Sequence, residues 1–229
     1  MNSLPPIIVI SLKWSLERRE SVTRQMEKYG LDFTFFDAVD GSTLDINNEI
    51  FDHNYCSKTF NHPMNKGEYA CAFSHVKAYE YIVKNNIDKA IILEDDIIIN
   101  SEFKNIILKL ADITPNSMEL TYLYHGKAKS WPWRKKIGHN FKLARYIPQS
   151  ETSKRLIIYA AAYILTLSGA KKLLQVAYPI RLPADYLLGC LQFNKLNTYG
   201  VEPPCLSLAG FKSDIDSVTK RNYGGHSND

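Results

Sequence analysis

Lys89-Ala90-Ile91-Ile92-Leu93-Glu94-Asp95-Asp96 is an apolar run that stops at three adjacent carboxylates. A short continuous apolar run is what a strand buried on both faces needs, because neither face meets water. Three carboxylates beside a core repel one another and lose hydration, so a cation or hydrogen bonds must offset the cost. In open α/β sheets, ligand sites lie at the carboxyl ends of strands, which is where these acids sit. A hard divalent cation, Mg²⁺ or Mn²⁺, prefers oxygen ligands and bridges readily to a diphosphate. In an extended segment Glu94 and Asp96 point to the same side. Asp96 is therefore the first candidate metal ligand, with Glu94 as its partner or as a sugar contact. The plainer reading is an acidic cluster that ends a strand and caps the next turn.

Working outward, the same signature recurs upstream. Pro5-Pro6 precedes Ile7-Ile8-Val9-Ile10, a second buried run. Ser15 to Tyr29 is charged and helix-prone, with Leu16, Val22 and Met26 as part of an apolar stripe and Gly30 placed to end it. Phe33-Thr34-Phe35-Phe36 follows, closed by Asp37-Ala38-Val39-Asp40-Gly41. This is a βαβ opening. Residues 42–66 read as irregular. From Gly67 to Asn85 the apolar residues Tyr69, Ala72, Phe73, Val76, Tyr79 and Val83 recur at helical spacing.

Beyond the acids, Ile97-Ile98-Ile99 reads as a short extended piece and Ser101 to Leu110 as a helix capped by Ser101. Tyr122-Leu123-Tyr124 is a strand candidate, and Leu156–Leu167 reads as one or two strands. A helix over Ala170–Tyr178 follows, and Pro183-Ala184-Asp185 opens another through Leu187, Leu188 and Leu191. Thr198-Tyr199-Gly200-Val201 is a late strand. The alternation predicts one α/β domain over residues 1–229, built on a mainly parallel sheet with flanking helices. The tail 222–229, polar and Gly-rich, is expected to be flexible.

Composition sets the outer limits. The chain has 229 residues, 45% hydrophobic and 23% charged, which is the ordinary globular range. A net charge of +4 does not by itself suggest nucleic-acid binding. The positive charge is uneven: Lys127, Lys129, Arg134, Lys135, Lys136, Lys142 and Arg145 cluster around Trp131 and Trp133 without an acid among them. That stretch is either a solvated loop or a patch for an anionic partner, a phosphorylated glycolipid or a membrane surface. Cys56, Cys71, Cys190 and Cys205 lack the short spacing of zinc or redox motifs and read as free thiols. Residues 1–6 lack the pattern of a signal peptide, and the apolar runs are too short to span a bilayer. The expected location is the cytoplasm, with peripheral contact to the inner membrane left open.

The ordered motifs together are similar to glycosyltransferase family 25, the lipooligosaccharide biosynthesis enzymes. They are Val9-Ile10-Ser11-Leu12 with Glu17-Arg18-Arg19; Phe36-Asp37-Ala38-Val39-Asp40-Gly41; Gly67-Glu68-Tyr69-Ala70-Cys71-Ala72-Phe73-Ser74-His75; Ile92-Leu93-Glu94-Asp95-Asp96; Ala162-Tyr163-Ile164-Leu165 with Gly169-Ala170-Lys171; Pro183-Ala184-Asp185; and Pro203-Pro204 with Ser213-Asp214-Ile215. Tyr69-Ala70 stands where the family often has Ile-Gly, and Ala184 where a larger residue is common. The resemblance implies a GT-A-like fold and an inverting transfer from a UDP-sugar, commonly UDP-galactose, to a growing lipooligosaccharide.

Individual roles follow from the residues and from that resemblance. Ser11 ends the first strand motif and is a donor-contact candidate. Arg18 or Arg19, with Arg19 slightly preferred, can fork onto a diphosphate; the plainer reading is a solvent-facing helix pair with Glu17 and Glu20. Asp37 and Asp40 stand where a nucleoside would be contacted, or serve the turn at Gly41. Gly67 begins a helix whose first N–H groups face the site. Ser74 and His75 line the donor pocket, although a histidine on a packed helix is commonly structural. Asp95 is assigned donor contact only. Asp185 is the candidate base that takes the acceptor hydroxyl's proton, or else an N-cap. Ser213 and Asp214 close over the diphosphate, and His226 is a further candidate ligand. The competing readings are another metal-dependent α/β enzyme, such as a phosphohydrolase or nucleotidyltransferase, and a non-catalytic carbohydrate- or lipid-binding module.

Overall fold

A computed structural model describes residues 4–47, 49–138, 140–148, 150 and 155–211. Ser213, Asp214, His226 and the tail 222–229 lie outside the described residues. The chain opens with β1 (Ile7–Ser11), α1 (Leu16–Tyr29) and β2 (Phe33–Asp37). Gly30 ends α1 with φ 58°, a left-handed turn that suits a residue with no Cβ. Next come α2 (Tyr55–Phe60), α3 (Lys66–Lys84), β3 (Lys89–Glu94), β4 (Ile97–Ile99) and α4 (Phe103–Ile113). β5 (Leu120–Tyr122), β6 (Ser130–Gly138), β7 (Phe141–Tyr146), β8 (Ala162–Thr166) and α5 (Leu167–Ala177) follow. α6 (Ala184–Gly189), α7 (Leu191–Asn194), β9 (Thr198–Glu202) and β10 (Leu206–Leu208) complete the described chain.

Eight strands form one sheet in the order β2-β1-β3-β8-β5-β9-β7-β6. β8 and β7 run against the other six, so the sheet is mainly parallel in direction. The period-two alternation of β1 and β3 divides the core. Ile8, Ile10 and Ile92 face a cluster with Val76, Tyr79 and Leu173. Ile7, Val9, Ile91 and Leu93 face the other cluster, with Val22, Met26, Phe103 and Ile107. Ala90 through Leu93 have no exposed surface, and each large aliphatic side chain contributes roughly 1.5–3 kcal/mol of burial.

The chain leaves β1 toward β2 on one side and returns as β3 on the other. The strand order therefore reverses at β1, which opens a crevice outside the carboxyl ends of β1 and β3. β4 pairs with β10, and the Ala209 N–H donates to the Asp96 carbonyl at 2.6 Å. The late chain thus pins the turn that carries the acids.

Several local expectations change. Residues 42–66 are not wholly irregular, because α2 lies within them. The basic Trp stretch is mostly a hairpin, β6 with β7, at the sheet edge. Its alternation is invisible in sequence because Trp131 through Lys136 are all exposed. The helix after Ser101 starts at Phe103 with Glu102 as its cap residue. α3 begins one residue earlier than expected, on a capping box between Asn65 and Glu68. Within 156–167 only Ala162–Thr166 is a strand, and α5 starts at Leu167. Leu16 is 73% exposed and not part of the stripe that Val22 and Met26 bury.

Candidate active site

A cleft of about 790 Å³, counted to its open mouth, occupies the crevice. Ser11, Arg18, Asp40, Gly67, Ser74, His75, Glu94, Asp95 and Asp96 line it together with Trp14 and Cys71. Arg19, Asp37 and Asp185 do not line it. The parallel register sets Ile10 beside Glu94, so the residues that follow meet across the strands. The Ser11 hydroxyl donates to Asp95 at 2.7 Å, and Arg18 pairs with the other Asp95 oxygen at 3.0 Å. Burial raises the Asp95 pKa even though Ser11 and Arg18 act to lower it. Asp95 thus clamps β1 and α1 to the end of β3.

Asp96 is the unsatisfied member. Its Oδ1 is buried and has no hydrogen-bond partner among the described residues. Burial first, then the charges of Glu94 and Asp95, push its pKa up to about 7. A buried carboxylate oxygen without a donor, beside two more carboxylates, is the chemistry a hard divalent cation satisfies. The strand ends at Glu94 and Asp96 sits in the following turn, so the acids meet at the cleft through a turn and not along an extended segment.

Glu94 faces a different set of partners. Its Oε1 lies 3.0 Å from His75 Nε2 and accepts from Cys71 Sγ at 3.7 Å. The three ligand atoms lie within 4.8 Å of one another, a second arrangement able to hold a metal ion. His75 Nδ1 bonds the Tyr163 hydroxyl at 2.7 Å, and Tyr163 donates to Tyr79 at 3.1 Å. Cys71 and His75 are one helical turn apart on α3, so one face of that helix delivers both.

The two neighbouring arginines separate. Arg19 donates to the Leu12 carbonyl at 3.1 Å and the Ser11 carbonyl at 3.0 Å, and it pairs with Asp37. It also lies 4.6 Å over the Phe35 ring. Its guanidinium therefore ties β1 to β2, while Arg18 reaches the cleft. On the opposite rim the Trp14 indole N–H donates to Asp40 at 2.9 Å. The Ser42 side chain and N–H, then Trp14, hold Asp40 below the ordinary carboxylate range. The Ser74 hydroxyl accepts from the Val39 N–H at 2.8 Å and so fixes the loop after β2. That loop presses on the start of α3, where a Cβ on Gly41 would come within 3.3 Å of the Gly67 Cα.

Asp185 occupies the first turn of α6, whose cap residue is Pro183, so it is not the N-cap. Burial raises its pKa, and the Glu94 charge adds to this. Backbone hydrogen bonds from Tyr159 and Tyr186 act the other way. Trp14, Cys71 and the Tyr79–Tyr163 pair stand at or behind the cleft without having been expected there. Only Cys71 carried a visible signal, its four-residue spacing from His75. Among the described residues no helix is long and apolar enough to cross a membrane.

The chain matches the family model of glycosyltransferase family 25 (LPS biosynthesis protein) over residues 4–188. A glycosyltransferase 25 family member of Aedes aegypti is 30% identical over 74% of this chain and 28% of its own length. Human procollagen galactosyltransferase 2 is 24% identical over 82% of this chain and 30% of its own. The inactive glycosyltransferase 25 family member 3 of Mus musculus is 27% identical over 80% of this chain and 31% of its own. The chain thus spans less than a third of each of these relatives.

Proposed function

The chain belongs to glycosyltransferase family 25, and from that and the cleft we propose an inverting transfer of a hexose from a UDP-sugar, with UDP-galactose as the first donor to test. The acceptor in this reading is a hydroxyl of a lipooligosaccharide or lipopolysaccharide. The observation that carries it is Asp96: a buried carboxylate oxygen with no hydrogen-bond partner among the described residues, in a run of three acids at the switch point of the sheet.

Asp96, with Glu94, would hold Mn²⁺ or Mg²⁺. Such an ion acts as a Lewis acid that stabilises the charge of the leaving diphosphate. Arg18 stands at the same end of the cleft, fixed by Asp95, and adds positive charge there. Trp14, 55% exposed at the rim, offers a ring face to the base, and Asp40 accepts from a ribose O–H or a base N–H. Asp185 takes the proton of the acceptor hydroxyl as that hydroxyl attacks the anomeric carbon and the diphosphate departs. A carboxylate whose pKa burial has raised is the stronger base for this step.

The test is UDP release from a panel of nucleotide sugars with Mn²⁺, for the wild type and Asp96→Ala. The expected result is turnover by the wild type and its loss in the variant, with the fold intact by circular dichroism. Undiminished turnover by Asp96→Ala would overturn the assignment of Asp96.

A further inference from the structure

Tyr159 is the bulkiest residue with positive φ among the described residues, at 77°, and its side chain is 40% exposed. A tyrosine in that region is strained, and such strain persists only where the surroundings impose it. Here they do so from two sides. Ile158 and Gly126 exchange both backbone hydrogen bonds at 3.1 Å. The Ile157 N–H donates to the Gly189 carbonyl at 3.2 Å, and a Cβ on Gly189 would overlap the Ile157 oxygen.

The strain is not there to bury the ring. The ring lies against Gly126, where an added Cβ would meet Tyr159 Cε2 at 3.1 Å, and edge-on to Tyr124 with centroids 5.2 Å apart. Its neighbours connect the two acids assigned to the reaction. The Tyr159 backbone hydrogen-bonds the Asp185 carboxylate. Burial raises the Tyr124 pKa, and the charges of Tyr159 and then Asp96 add to the rise. A pyranose ring has an apolar C–H face and a polar rim, and a half-exposed aromatic ring whose own backbone holds a carboxylate offers a partner for each.

We propose that Tyr159, backed by Tyr124, is the acceptor subsite, a platform on which a pyranose ring stacks with one hydroxyl turned to Asp185. The proposal rests on the glycosyltransferase reading.

The experiment uses saturation-transfer NMR with methyl glycosides of galactose, glucose and N-acetylglucosamine. The proteins are the full chain and its Tyr159→Phe, Tyr159→Ala and Tyr159→Gly variants. Expected is saturation of one ring face of at least one glycoside by the wild type and by Tyr159→Phe. The Ala and Gly variants should bind it about tenfold more weakly or worse, which is about 1.4 kcal/mol. Tyr159→Gly should also melt at or above the wild-type temperature, since glycine adopts this φ without strain. A merely structural tyrosine would instead lower the melting temperature on removal. The proposal is overturned if the wild type saturates none of the glycosides, or if Tyr159→Ala binds as the wild type does. Glycoside binding with the expected variant pattern but no turnover of any nucleotide sugar would instead sink the transferase reading and leave a sugar site.

Discussion

Replacing Asp96 by asparagine should make the cation-free protein more stable, an unusual direction for a change at a proposed active site. The Asp96 pKa rises from 3.8 to about 7 on folding, because burial and two neighbouring carboxylates oppose its charge. A raised folded-state pKa means that the folded chain holds the proton more tightly than the unfolded one. The stability tied to this proton is complete below about pH 4 and is lost as pH rises through about 7. At about 1.4 kcal/mol per unit, the full shift is roughly 4 kcal/mol at pH 8. Water entering the open cleft reduces this to about 2–4 kcal/mol. The asparagine side chain does not titrate and is nearly isosteric, so the variant escapes the loss. Urea unfolding in EDTA at pH 5 and pH 8 reads it directly. Asp96→Asn should match the wild type more closely at pH 5 and exceed it at pH 8. Added Mn²⁺ should then stabilise the wild type and leave the variant unchanged. A variant no more stable than the wild type at pH 8 in EDTA would refute the claim that burial and the neighbouring acids outweigh what Arg18 and the backbone offer this carboxylate.

Asp185→Asn should lower the rate of transfer by about 10²–10⁴-fold with donor binding unchanged, measured by steady-state kinetics and UDP titration. Arg18→Ala removes a charged partner of the buried Asp95 and should cost about 3 kcal/mol in urea unfolding. Adding Asp95→Asn should recover part of that loss, because the abandoned charge goes with it. Gly189→Ala forces a methyl group into the Ile157 carbonyl and should cost about 3 kcal/mol or more, lowering the melting temperature. Tyr163→Phe cuts the link from His75 to Tyr79 and should cost about 1–2 kcal/mol by the same measurement.

The parts legible in sequence were those whose signal is local. The apolar runs of β1 and β3 read as buried strands because neither face can be polar, and the structure buries both. α1 and α3 were legible from helical spacing, and the acids at the end of β3 from their cost near a core. The hairpin β6–β7 was not legible. An edge strand with both faces wet carries no alternation, so Trp131 through Lys136 looked like a loop. Arg18 and Arg19 show another limit. Adjacent helical residues point about 100° apart, and nothing local says which direction meets Asp95 and which meets Asp37.

The sequence by itself determined the α/β class, the βαβ opening and the clustering of Glu94, Asp95 and Asp96 beyond a buried strand. Each of these depends on neighbours within a few residues. Only the tertiary structure decided that β1 lies between β2 and β3, so that the crevice opens at Ser11 and the acids. It also decided that Asp95 is consumed by Ser11 and Arg18, that Glu94 turns to His75 and Cys71, and that of the three acids Asp96 keeps a buried oxygen with no donor among the described residues. These assignments depend on which distant side chains fill the space around each carboxylate. Three adjacent acids are alike in sequence and become different through desolvation and the partners the fold brings to them.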